Sequence, residues 1–186
     1  MISRDTSRGA TVWLTGLPSS GKSTIAAAVA ARLRGRGRLV EVLDGDEVRR
    51  TVSADLGFGR ADREENVRRV GALAASLGRD GAIVLVAVIA PYADSRAEVR
   101  RLHAAAGVRY LEVHVATPLS VCVQRDVKGL YRRQAAGCLV GLTGVDDPYE
   151  APECPELRVD THHEPVEASA EAVLRLVVDA VSESRQ

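Results

Sequence analysis

Residues 11–30 read TVWLTGLPSSGKSTIAAAVA and contain the most informative pattern in the chain. A short apolar run breaks into a glycine-rich segment and then into an alanine-rich one, an order that predicts a strand, a turn and a helix. The turn has the spacing G-x-x-x-x-G-K-S, which marks a phosphate-binding P-loop when a strand precedes it and a helix follows. Gly16 and Gly21 allow the backbone to bring successive N–H groups to a phosphate at the helix N-terminus.

The last two residues of this motif carry its chemistry. Lys22 supplies a mobile positive charge for the outer phosphates of a nucleotide, and the Ser23 hydroxyl is placed to hold Mg²⁺. The alternative is a glycine-rich turn that caps an ordinary helix. The strand-to-helix context and the Lys-Ser pair favour the phosphate site.

The composition is that of one soluble globular domain. The 186 residues are 46% hydrophobic and 27% charged, as in ordinary folded domains. Lys and Arg number 25 and so do Asp and Glu, so no overall field favours nucleic acid or a membrane as partner. The first ten residues lack a signal-peptide core, no apolar run spans a bilayer, and the odd, widely spaced cysteines suit reduced thiols. We therefore predict a single cytoplasmic domain over residues 1–186, with a disordered tail at residues 1–9.

Strands and helices alternate along the rest of the chain. Apolar runs predict strands at 39–43, 82–90, 110–116 and 157–160, and helical periodicity predicts helices at 94–106 and 166–181. A further helix is predicted to begin at Asp62 as N-cap, with Glu65 in capping-box spacing. The alternation predicts an α/β fold, a three-layer P-loop NTPase fold with a mostly parallel central sheet flanked by helices.

Polar residues follow the strand at 39–43. Asp44 and Asp46 flank a glycine at the carboxyl end of that strand, the edge where open α/β sheets place their active sites. The alternative is an acidic turn that caps a helix, which can also hold for one of the two aspartates. Because no aspartate closes the strand at 82–90, Mg²⁺ must rely on Ser23, the nucleotide's phosphates and water, with Asp44 or Asp46 as an additional candidate ligand.

Three further segments are candidates for the site. Phe58 lies between glycines, where an exposed ring suits a stacking platform better than core filling. Arg63 and Asn66 lie three residues apart, on one helix face near the same sheet edge. Residues 125–133 carry four basic side chains, and with the following glycines they predict a lid over residues 125–150 that closes on phosphates. A solvated basic helix is the alternative for that last segment.

From about residue 11 to the last helix, the chain resembles the adenylyl-sulfate kinases, which use ATP to phosphorylate the ribose 3′-hydroxyl of adenosine 5′-phosphosulfate. The motifs that carry the resemblance are G-L-x-x-S-G-K-S-T at 16–24, L-D-G-D-x-V-R at 43–49, L-G-F at 56–58, D-R-x-x-N-x-x-R at 62–69, I-x-P-Y at 89–92, T-P-L at 117–119, R-D-x-K-G-L-Y at 125–131 and T-G-V-D-x-P-Y-E-A-P at 143–152.

The resemblance implies a role for each matching residue. Asp46 is implied to accept the proton of the acceptor hydroxyl, with Lys22 and Asp44 as the other catalytic residues and Ser23 on Mg²⁺. The implied ATP contacts are Gly16, Leu17, Pro18, Ser19, Ser20, Gly21, Lys22, Ser23, Thr24, Arg125, Thr143, Gly144 and Pro152. The implied acceptor contacts are Asp44, Asp46, Arg49, Phe58, Arg63, Asn66, Ile89, Ala90, Lys128, Gly129, Leu130 and Leu142. A homodimer is implied as well.

The departures from the family pattern lie on the acceptor side: Glu47, Gly59, Ala90, Ala116 and Gly141-Leu142. Leu142 replaces an aromatic residue expected opposite Phe58, a change that costs roughly five- to 150-fold in acceptor affinity if one stacking contact is lost. Two alternatives therefore stay open at the level of sequence. One is a kinase of the same fold acting on another nucleotide-like or small alcohol, and the other is a nucleotide-binding module without catalysis.

Overall fold

The computed structural model describes residues 9–182. The elements in chain order are β1 (Ala10–Thr15), α1 (Lys22–Gly35), β2 (Val40–Asp44), α2 (Gly45–Arg50), α3 (Arg60–Arg79), β3 (Ile83–Ala87), α4 (Ala93–Ala105), β4 (Arg109–Val115), α5 (Leu119–Arg125), α6 (Leu130–Ala135), β5 (Leu157–Val159) and α7 (Val166–Ser182). The predicted tail at residues 1–9 lies outside the described residues except for Gly9, which is buried.

The five strands form one parallel sheet in the order β2-β3-β1-β4-β5. Alternate side chains of β1 point to opposite faces. Val12 and Leu14 pack in the cluster that contains the apolar faces of α1 and α7. Trp13 packs in a second cluster with α3 and α4. The sheet is thus covered on both faces, which confirms the predicted α/β fold.

The register of three neighbouring strands brings their carboxyl ends to one level. Leu14 of β1 pairs with Ala87 of β3, and Ala87 pairs in turn with Asp44 of β2. The segments that follow these strands are the P-loop, the Asp44–Asp46 turn and residues 88–92. All three therefore meet at the same edge of the sheet, where the sequence places its candidate residues.

Two local predictions are wrong. Helix α3 begins at Arg60, with Gly59 as N-cap and no side-chain capping bond. The predicted capping box does not form because Asp62 is the third residue of α3 and not its N-cap. The Glu65 carboxylate accepts from Arg68 and Arg69. The strand predicted at 82–90 ends at Ala87. It cannot reach residue 90, because Ala90 adopts a left-handed backbone conformation with φ of +45°.

Within residues 9–182, no helix combines the length and the apolar character that a membrane crossing requires.

We expect Gly71→Ala to destabilise the fold although alanine is the better helix former. A Cβ at residue 71 would lie 2.6 Å from Cγ2 of the buried Val99, where α3 crosses α4. Overpacking against this stiff side chain outweighs the propensity gain, so the free energy of unfolding should fall by about 1 to 2 kcal/mol in urea titrations. Gly35→Ala is the matched control, since a Cβ at residue 35 meets nothing within 4 Å. A Gly71→Ala protein as stable as the parent would contradict the packing described.

Candidate active site

A cleft of about 780 Å³ opens at this edge of the sheet. Its walls are the P-loop, the ends of β2 and β3, the start of α3, the segment from α5 to residue 143, and the start of α7. The predicted site residues that line it are Pro18, Ser19, Ser20, Gly21, Lys22, Ser23, Thr24, Asp44, Asp46, Arg49, Phe58, Arg63, Asn66, Ile89, Ala90, Arg125, Lys128, Leu130, Leu142 and Thr143. Gly16, Leu17, Gly129, Gly144 and Pro152 do not line it.

The P-loop wraps around the side chain of Lys22. The Lys22 ammonium donates to the carbonyl oxygens of Gly16 at 2.9 Å and Leu17 at 2.7 Å, so these two residues take part through their backbones. Ser19 and Gly21 both have positive φ, +62° and +106°, which turns the loop into the N-terminus of α1. Burial lowers the pKa of Lys22 to about 8.

The two aspartates after β2 have different environments. Asp44 is the N-cap of α2, and its Oδ1 accepts from the Asp46 backbone N–H at 3.0 Å. Its Oδ2 accepts from the Ser23 hydroxyl at 2.5 Å. The Asp46 carboxylate instead projects from the first turn of α2 and is exposed, where it pairs with the Lys128 ammonium. Asp44 is therefore the capping aspartate, and Asp46 is the one open to a ligand.

Ser23 and Asp44 also form the part of the cleft that suits Mg²⁺. A hydroxyl and a carboxylate oxygen in contact are hard oxygen donors of the kind this ion prefers. Among residues 9–182, no group of three or more His, Cys, Asp or Glu side chains could hold a metal. The fit is therefore to an ion that takes its other ligands from phosphates and water.

One wall of the cleft is built around Phe58, whose ring is 71% exposed, and the sequence predicts an exposed ring at this position. The Arg49 guanidinium lies 5.0 Å from the ring centre and donates to the Gly57 carbonyl at 2.6 Å. These two contacts fix the turn that carries the ring. Asn66 is buried nearby, and its Oδ1 has no hydrogen-bond partner among the described residues.

Arg63 connects this wall to the loop on the opposite side of the cleft. Its Nε donates to the Phe58 carbonyl at 2.7 Å, and its Nη2 lies 3.0 Å from Asp147 Oδ2. The same guanidinium also donates to the Gly141 carbonyl and the Thr143 hydroxyl. Arg63 therefore holds the site together as well as lining it, a role that the sequence did not indicate.

The predicted lid segment, residues 125–150, contacts the P-loop through Tyr131 and contacts Asp46 through Lys128. The Asp126 carboxylate caps α6 by accepting from the backbone N–H groups of Tyr131 and Arg132. The Tyr131 hydroxyl donates to the Pro18 carbonyl of the P-loop at 3.0 Å. Leu142 is buried in a small cluster with Tyr131 and Cys122.

The loop at 143–152 leaves the cleft after Thr143 and packs against the P-loop and the segments that follow β1 and β3. Gly144 packs against Leu17, whose Cδ2 would lie 2.4 Å from a Cβ at residue 144. The Tyr149 hydroxyl is 3.0 Å from the Thr15 hydroxyl, and the Glu150 N–H donates to Pro91. The structure thus brings Thr143 of this loop to the cleft but not Gly144 or Pro152.

Sequence reasoning missed the wall that faces the P-loop from the far side. Thr161, Glu164 and Val166 line the cleft there. Arg125 joins this wall to the P-loop by donating to the Thr161 carbonyl at 2.6 Å and to the Ser20 carbonyl at 3.4 Å. The sequence did contain a signal for this wall. The predicted last strand ends just before Thr161, and the carboxyl ends of parallel strands lie at one edge of the sheet.

Residues 8–160 match the family model for adenylylsulphate kinase. The chain belongs to the adenylylsulphate kinase family. It is 52% identical over 168 residues to the adenylyl-sulfate kinase of Myxococcus xanthus (strain DK1622), a match that covers 90% of each chain. These findings confirm the family resemblance drawn from the sequence.

Solved structures of adenylyl-sulfate kinases share the fold. The Mycobacterium tuberculosis APS kinase CysC in complex with AMPPNP and APS is 45% identical, with a TM-score of 0.89 over 91% of this chain and 98% of that one. The hexameric APS kinase from Thiobacillus denitrificans is 35% identical, with a TM-score of 0.70 over 94% of this chain and 29% of that one.

The pKa of Lys22 leads to a prediction for this kinase. With a pKa of about 8, the side chain is charged below that pH and loses its attraction for phosphate above it. The dissociation constant for Mg-ATP should therefore rise between pH 8 and 9.5, by up to about tenfold per pH unit. Lys22→Arg is the control, because a guanidinium stays charged over this range. A wild-type dissociation constant that stays flat to pH 9.5, measured by calorimetry, would contradict the buried position of the ammonium.

Proposed function

We propose that the protein transfers the γ-phosphoryl group of ATP to the 3′-hydroxyl of adenosine 5′-phosphosulfate, giving 3′-phosphoadenosine 5′-phosphosulfate for sulfate assimilation. The observation that carries the proposal is the placement of Asp46. Its exposed carboxylate shares one cleft with the P-loop lysine on one side and with the exposed Phe58 ring on the other. A phosphate donor and a base-bearing acceptor alcohol can therefore meet at this carboxylate.

The donor half of the site would hold ATP by its phosphates. The P-loop N–H groups and the N-terminus of α1 face the negative charge, and the Lys22 ammonium lies within the same loop. The nucleotide's base would lie across the P-loop, against Arg125, Thr161 and Val166. Support for this position comes from the Arg125 guanidinium, which the Thr161 carbonyl and hydroxyl hold in place.

Mg²⁺ belongs to the proposal as the ion bound with ATP. Ser23 would be its ligand, with the Asp44 carboxylate holding that hydroxyl in place. When bound, the ion would neutralise charge on the phosphate oxygens. Phosphoryl transfer otherwise asks for positioning and for positive charge near the transferring group, which Lys22 and Lys128 would supply.

The acceptor half would present the 3′-hydroxyl to Asp46. The carboxylate would accept the hydroxyl proton as the hydroxyl oxygen bonds to the γ-phosphorus and the bond from that phosphorus to the ADP leaving group breaks, a contribution typically of ~10²–10⁴-fold. Phe58 would stack on the acceptor's base. Arg49 and the unpaired Oδ1 of Asn66 would bind its polar groups.

The oligomeric state and the cellular location complete the proposal. A homodimer is proposed on the family resemblance alone. A cytoplasmic location is proposed because Cys122, Cys138 and Cys154 are all free thiols, as expected in a reducing compartment.

The substrate is tested by ADP release from Mg-ATP with adenosine 5′-phosphosulfate, adenosine 5′-monophosphate or no acceptor. We expect turnover that depends on the phosphosulfate, at roughly 1–100 s⁻¹. If ATP binds but the phosphosulfate gives no stimulation, the acceptor is a different alcohol and the proposed substrate is wrong.

The role of Asp46 is tested by Asp46→Asn, which keeps the shape of the side chain but removes its basicity. Turnover should fall by ~10²–10⁴-fold, while the dissociation constant for ATP changes by no more than about twofold. Glu47→Gln is the matched control, since Glu47 is the next carboxylate along α2, is exposed and does not line the cleft. Near-normal turnover in Asp46→Asn would show that another group takes the proton.

A further inference from the structure

Residues 89–91 line the cleft and are named the acceptor wall. Arg96 lies behind them and was not among the residues that the sequence singled out. It is on the first turn of α4 and only 3% exposed. Its guanidinium makes three contacts in three directions. Nη1 donates to the Ala90 carbonyl at 2.7 Å, Nη2 donates to the Glu150 carbonyl at 2.6 Å, and Nε lies 2.8 Å from Glu112 Oε1.

Ala90, the residue that Arg96 holds, lines the cleft in a costly conformation. It is buried, and its φ of +45° is in the left-handed region. For a residue with a Cβ this conformation is sterically unfavourable. Such a conformation persists only where the surrounding structure holds it.

Three successive carbonyls of this wall segment are held from behind. The Ile89 carbonyl accepts from the Thr15 hydroxyl at 2.5 Å, the Ala90 carbonyl from Arg96, and the Pro91 carbonyl from the Glu150 N–H at 2.8 Å. Since the described peptide bonds are trans, the Ala90 N–H points opposite to the Ile89 carbonyl and so away from Thr15. Among residues 9–182, no protein acceptor takes a hydrogen bond from that N–H.

We infer that Arg96 is a positioning residue for the acceptor. It fixes Ala90 in the left-handed conformation, so that the segment 89–91 keeps its shape and its free N–H as a donor for the anionic phosphosulfate group. The inference rests on the proposed function for the identity of that anion. Arg96 contributes geometry and not charge to the cleft, because the buried Glu112 carboxylate neutralises it.

Arg100 provides a matched comparison on the same helix. It pairs with the same Glu112 carboxylate at 3.4 Å and with Glu156 at 2.5 Å. It makes none of the contacts to residues 89–91 that Arg96 makes. A change at Arg100 therefore perturbs the same ionic network without touching the acceptor wall.

The test compares Arg96→Lys with Arg100→Lys. Lysine keeps the positive charge next to Glu112, but it lacks the planar fork that reaches two carbonyls at once. For Arg96→Lys we expect the KM for adenosine 5′-phosphosulfate to rise roughly tenfold, the size of one lost hydrogen bond to a charged group. The KM for ATP should stay within about twofold, and Arg100→Lys should leave both KM values within that range.

Three results would overturn the inference: unchanged KM values in Arg96→Lys, an equal rise in both, or the same acceptor-specific rise in Arg100→Lys. A second measurement needs no substrate. Amide hydrogen exchange at Glu150, whose N–H donates to the Pro91 carbonyl, should be faster in Arg96→Lys than in wild type, and equal exchange rates would also overturn it. If wild type shows no phosphosulfate-dependent turnover, the proposed function fails, and the exchange experiment alone decides whether Arg96 holds the wall.

Discussion

Three adjacent parallel strands end at the same level, and the chemistry of the site depends on this register. Leu14, Ala87 and Asp44 are paired across β1, β3 and β2. The P-loop begins two residues after Leu14, Asp44 is the last residue of β2, and the segment 89–91 of the cleft lining begins two residues after Ala87. Because parallel strands present all their carboxyl ends at one edge, three segments far apart in sequence become one surface. A shift of β2 by a single residue would turn Asp44 away from Ser23.

Arginine side chains join the loops that leave this edge. Arg125 connects the P-loop to Thr161 after β5, Arg63 connects the Phe58 turn to residues 141–147, and Arg96 connects residues 89–91 to the loop behind them. A guanidinium offers five N–H donors in a fixed plane, so each can hold several oxygens in one arrangement. Two of the three also pair with a carboxylate, Arg63 with Asp147 and Arg96 with Glu112, so both charge and planar shape contribute.

The sequence was informative for the motifs that local spacing defines, although the capping box predicted from the spacing of Asp62 and Glu65 is wrong. The P-loop is defined by its own glycines and lysine, and strand periodicity placed Asp44 and Asp46 at the active edge. Features that depend on distant contacts could not be predicted. The left-handed turn at Ala90 depends on residues on other elements, such as Glu150, sixty positions away. The loop around Gly144 packs against Leu17, which is far away in the sequence. The composition of the loop therefore could not indicate which part of the molecule it contacts.

The central claim is that Asp46 and the P-loop act together on one ribose hydroxyl, and the position of the transferred phosphate tests it most directly. The product made from Mg-ATP and adenosine 5′-phosphosulfate can be examined by NMR for coupling between phosphorus and the ribose carbons. The arrangement described predicts a single new phosphate on the 3′-oxygen, with the phosphosulfate intact. A phosphate on the 2′-oxygen, or release of inorganic phosphate without change to the acceptor, would contradict it.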